Sequence, residues 1–114
     1  YWNAIHGPPT LEQRQRNIAQ IIRLATVRAG DRTIDPPVAD EFEAVTKETW
    51  ESEPPWQVLF WMAQLERAAL QNKKAYEYAQ RAYTLAKKDL ASDTSARAQD
   101  QLTNIQALLS ALAM

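Results

Sequence analysis

Residues Pro54 to Leu90 constrain the fold of this chain most strongly. Pro54-Pro55-Trp56 opens a segment, WQVLFWMAQLERAAL, that is apolar nearly all round, and Gln71-Asn72-Lys73-Lys74 separates it from AYEYAQRAYTLAKKDL. A helix apolar on more than one face is buried on more than one side. In the second segment Ala75, Ala79, Ala82 and Ala86 recur at spacings of three and four, a smooth stripe along one helix face that a neighbouring helix can approach closely. Two helices with a short polar break between them make a hairpin. No stretch of the chain alternates apolar and polar residues convincingly, so strands have almost no support.

The same periodicity reads outward from this hairpin. Residues 1–9 (YWNAIHGPP) form a non-helical lead, because Gly7-Pro8-Pro9 cannot continue a helix. A single helical domain, residues 10–114, follows, with helices expected at about 10–29, 36–52, 55–70, 73–90 and 95–112. Thr10 caps the first, with Gln13 at capping-box spacing; Leu11, Ile18, Ile21, Ile22, Ala25 and Ala29 form its apolar stripe, and Gly30-Asp31 ends it. Asp35-Pro36 starts the second, with acids crowding its first turns where the helix dipole favours them. Asp93 or Thr94 caps the fifth, whose stripe of Ala98, Leu102, Ile105, Leu109 and Leu112 opposes a polar face, the pattern of a capping helix. Leu59, Phe60, Ala63, Ala79, Ala82, Ile105 and Leu109 are the expected core.

Without cysteine, disulfides, thiolate metal sites and a cysteine nucleophile are excluded. No apolar run approaches the ~20 residues of a membrane span. The chain opens on Tyr1-Trp2 rather than Met, which suggests a fragment or a processed protein. Charge is patterned although the net is only −1. Residues 1–32 carry +3, residues 33–55 carry −6 and residues 56–90 carry +3. An acidic helix between two basic ones satisfies much of its charge internally or across a groove. Four tryptophans are many for 114 residues and read first as core.

The third and fourth helices resemble a tetratricopeptide repeat. Met62 and Ala63 match the apolar and small positions of that family's first helix, and Ala75 and Ala82 match the two small positions of its second. Leu59 stands where Trp is common, Glu66 and Ala79 where aromatics occur, Leu70 where the turn Gly belongs, and Lys87 where Pro closes the unit. The resemblance covers roughly a third of the chain. It implies an all-α fold of five helices in antiparallel αα-hairpins, stacked in a right-handed, tetratricopeptide-like manner with a C-terminal capping helix. It also implies a protein-interaction or scaffold role.

The residues point away from catalysis. His6 lies in the Gly-Pro loop with no nucleophile or acid at motif spacing. Asp40, Glu41 and Glu43 point in different directions from a helix and suit a solvated face better than a metal site. Both glycines are isolated, so no phosphate-cradling loop exists. No enzyme, cofactor or metal site is expected. The candidate binding face lies on the fourth helix, where Tyr76 and Tyr83 share one side, flanked by Lys73 and Lys87 and continued by Arg14 and Arg23. Such a face suits another protein or a peptide with acidic or C-terminal carboxylate character. The expected function is a protein–protein interaction module, within a larger bacterial assembly or an envelope-associated (periplasmic) or cytoplasmic protein. Self-association falls inside that class. The alternative is a nucleic-acid-binding domain using the arginines of the first helix, disfavoured by the slightly acidic composition.

Overall fold

In the computed structural model, Thr10 opens the first helix as its spacing predicts, its hydroxyl accepting a hydrogen bond from Gln13 N at 3.1 Å. The structure describes residues 10–30 and 32–113. They form α1 (Leu11–Ala29), α2 (Pro36–Thr49), α3 (Trp56–Ala68), α4 (Asn72–Asp89) and α5 (Ala96–Leu112), with no strand among the described residues. The N-terminal lead with His6, and Asp31, lie outside them. No described helix is long and apolar enough to cross a membrane.

Helix boundaries follow local chemistry, with four departures from expectation. Asp35 takes the cap position of α2, yet its carboxyl makes no capping bond. Pro36 and Pro37 lack N–H donors, and the next one, on Val38, is taken by the Asp35 carbonyl at 2.9 Å. The acids of α2 begin only after its first turn, beyond the strongest part of the dipole. Second, α2 ends at Thr49 rather than residue 52. Trp50 leaves the helix in an extended conformation and is buried. Third, α3 stops at Ala68, and the reversal into α4 is a Schellman turn. Gln71 N donates to Glu66 O at 2.9 Å and Leu70 N to Arg67 O at 2.9 Å. Leu70 sits there at φ 62°, the conformation that glycine supplies in such turns, and its side chain is exposed rather than on the inner face of α3. Fourth, Ser95 caps α5, its hydroxyl accepting from Ala98 N at 3.2 Å. Asp93 accepts from Ser95 N at 2.9 Å and so shapes the turn before the helix instead of capping it.

Helix α3 occupies the middle. It packs against α1, α2 and α4, and α5 packs on α4. Val58, Leu59, Met62, Ala63 and Leu65 are fully buried, as are Ala75, Ala79, Ala82 and Ala86 on the facing side of α4. Ile105 joins them from α5, while Phe60 and Leu109 are only half-buried at the edge of this core. Trp50 and Trp56 are core residues and Trp61 is half-buried. The expected stripe of α1 is only partly covered: Ile22 and Ala29 are buried, but Leu11 and Ile21 are about half exposed. Among the described residues α1 has neighbours on two sides, α2 and α3, and buries a narrower arc than its sequence offers.

Candidate functional site

The outward side of α4 forms a cleft of about 510 Å³. Tyr76, Gln80, Tyr83 and Thr84 line it together with Leu109 of α5, and the ion pair between Arg81 Nε and Glu53 Oε1 (3.0 Å) borders it. Tyr76 and Tyr83 are brought together, as two residues seven apart on a helix must be. Both are half-buried. Tyr83 also packs on the edge of the core, and its hydroxyl accepts a hydrogen bond from Gln106 Nε2 at 2.9 Å. Lys87 Nζ stands 6.0 Å from the Tyr83 ring centre, at the outer range of a cation–π contact. Lys73 is exposed at the start of the helix.

Arg14 and Arg23 do not continue this cleft. Both are exposed on α1, which packs on α2 and α3. Arg14 lines a different cleft of about 450 Å³ between α1 and α2, with Leu11, Ile18, Val45, Glu48 and Glu51. The charge alternation in the sequence is expressed as contacts elsewhere. Lys74 of α4 reaches Asp40 Oδ1 at 3.4 Å and Glu43 Oε1 at 3.5 Å of α2, and Tyr78 donates to Glu43 Oε2 at 2.9 Å. Lys47 approaches Glu43 Oε1 at 3.8 Å.

Beneath this polar junction lies Glu66 of α3, fully buried, with neither carboxylate oxygen hydrogen-bonded to any described residue. Burial pushes its carboxyl above the usual range; Glu43 and Asp40 push the same way, and Lys74 opposes them. Tyr78 is also raised, first by burial and then by its bond to Glu43. Lys74 is raised by its hydrogen bond to Asp40 and by Glu43. In the sequence Glu66 reads only as an acid at an aromatic position of the repeat. The stronger signal was its place on the stripe of Leu59, Met62 and Ala63, where an acid three or four residues on must enter the core. Glu41 faces solvent, so the three acids Asp40, Glu41 and Glu43 do not converge. Among the described residues no group of three or more His, Cys, Asp or Glu side chains could hold a metal ion. No protein-family model, curated protein or solved structure matches this chain.

Proposed function

We propose that this chain is a protein-interaction module of stacked, tetratricopeptide-like helical hairpins that takes an extended acidic peptide along α4. The observation that carries this reading is the α4 cleft, where two half-buried tyrosines line one wall between two exposed lysines. Aromatic rings offer large, rigid contact area, and flanking ammonium groups favour a carboxylate-bearing ligand. The stacked-hairpin part is supported by α3 lying between α1, α2 and α4, by the fully buried alanines on the α3–α4 contact, and by a Schellman turn where the repeat family has its glycine. Phosphate binding by α1 is the weaker alternative, because Glu48 and Glu51 share the Arg14 cleft.

Fluorescence anisotropy with a set of labelled synthetic peptides, acidic or neutral and with free or amidated C-termini, tests the proposal. Acidic peptides bind in preference to neutral ones, and Tyr76→Ala weakens them by about 1–3 kcal/mol with an unchanged melting temperature. Tyr83→Ala does the same but also lowers the melting temperature, because Tyr83 packs on the core. Equal binding of all peptides, or of wild type and Tyr76→Ala, removes the groove. Steep salt-dependent binding of single-stranded nucleic acid would favour the alternative instead.

A further inference from the structure

We propose that the Glu66 carboxyl is a proton-controlled latch for α2: the helix stays closed over the protonated acid and opens locally when the acid ionises. Among the described residues only Glu66 has buried side-chain oxygens with no hydrogen-bond partner. Two donors on α4, Lys74 and Tyr78, are near enough to feel its charge, and both serve α2 instead. Lys74 Nζ is shared between Asp40 Oδ1 at 3.4 Å and Glu43 Oε1 at 3.5 Å, and the Tyr78 hydroxyl donates to Glu43 Oε2 at 2.9 Å. Asp40 and Glu43 oppose ionisation of Glu66, and Lys74 alone favours it. From α1, the remaining helix packed on α3, Glu12, Arg14, Arg16, Arg23 and Arg28 are all exposed, as is Arg67 of α3 itself. Lys47 approaches Glu43 at 3.8 Å but from the solvent side of α2.

A buried carboxylate without a partner, facing two like charges, is costly. Opening α2 carries Asp40 and Glu43 away, admits water to Glu66 and frees Lys74 and Tyr78 to bond it. The same two donors thus serve Glu43 in the closed arrangement and Glu66 in the open one. Packing makes α2 the helix that yields. Its buried residues are Ala39 and Thr46, against seven in α3. Its flanks are held independently, by Ile34 N donating to Ala68 O at 3.0 Å and by the buried Trp50. The sign follows from proton binding. Closed, Glu66 keeps its proton above its ordinary 4.5; opened, it titrates near that value. Between the two pKa values opening releases a proton, so the opening constant rises about tenfold per pH unit and levels off above the higher one.

Amide exchange followed by NMR in low denaturant from about pH 5 to 8, corrected for intrinsic rates, reads the outcome. The amides of Phe42, Val45 and Thr46 are expected to exchange through an opening that denaturant promotes less than it promotes opening of α3. Their protection falls about tenfold per pH unit and levels off where the Glu66 Cδ resonance shows the acid half ionised. The amides of α5, which peels away without uncovering Glu66, keep a protection that does not change with pH. Glu66→Gln, neutral at every pH, abolishes the slope in α2. Amides of α2 that exchange only with the whole chain overturn the proposal, as does a local opening indifferent to pH. A slope that survives Glu66→Gln, or that α5 shares, overturns it too. Should Glu66→Gln fail to fold, the comparison of α2 with α5 and with the Glu66 titration in the unaltered protein decides alone.

Discussion

The Tyr78 hydroxyl donates a 2.9 Å hydrogen bond to Glu43 Oε2 across 35 residues of sequence and thereby ties α4 to α2. A hydrogen bond from a buried phenol to a carboxylate is stronger than a neutral one. Tyr78→Phe is therefore expected to lose about 1–2 kcal/mol in urea denaturation without a change in slope. Because folding raises the Tyr78 pKa above 10.0, the folded state keeps this proton where the unfolded chain has released it. Stability falls as pH rises past about 10, and Tyr78→Phe removes that part of the fall.

Glu66 gives the opposite kind of contribution. Its buried, unbonded carboxyl holds a proton to higher pH than the 4.5 of an ordinary glutamate. Between those two values the folded state binds more protons than the unfolded one, so this group lowers stability as pH rises through the interval. Glu66→Met, close in shape and apolar, is expected to stabilise the protein at pH 7 by about 1–3 kcal/mol and to flatten the pH profile above about 4.5. Thermal melts of both proteins from pH 4 to 8 check this (range about four units). A Glu66→Met variant less stable than wild type would show that the carboxyl is satisfied in solution.

Leu70 holds a positive φ that its Cβ disfavours, and its exposed side chain makes little compensating contact. Leu70→Gly should raise stability by about 1 kcal/mol, with Leu70→Ala near neutral because the Cβ remains. Equal effects of the two substitutions in a differential scanning measurement would show that strain is absent.

Ala79 and Ala82 are wholly buried where α4 meets its neighbours. Leucine at either position overfills a contact set by a methyl group, and a loss of about 1–3 kcal/mol is expected. Chemical denaturation measures it; a neutral Ala82→Leu would reveal unfilled space between α3 and α4.

The α3–α4 hairpin was legible because its signal is long and one-sided. An all-round apolar run and an alanine stripe admit few structures other than a buried helix against a close neighbour. The ends were less legible, since they depend on single donors and rotations. The Asp35 cap failed for want of an N–H on Pro37, and Ser95 displaced Asp93 once Asp93 was engaged by the turn. The clustering of Tyr76 and Tyr83 follows from helical spacing alone. The separation of Arg14 and Arg23 from them does not, because it depends on which faces of α3 receive α1 and α4. The same long-range packing hid Glu66, whose neighbours Glu43 and Lys74 come from other helices.

The central position of α3 orders the way this molecule comes apart. Three helices rest on α3, whereas α5 rests chiefly on α4. Peeling α5 away leaves the α3–α4 contact in place, but α3 cannot open without releasing every neighbour. Amide protons of Leu59, Met62 and Ala63 should therefore exchange with deuterium only at the rate of whole-chain opening, while those of α5 exchange through a lower-energy excursion. Native-state exchange at rising denaturant would then show two tiers, with α5 detaching first and the α3 amides marking the last cooperative unit to yield.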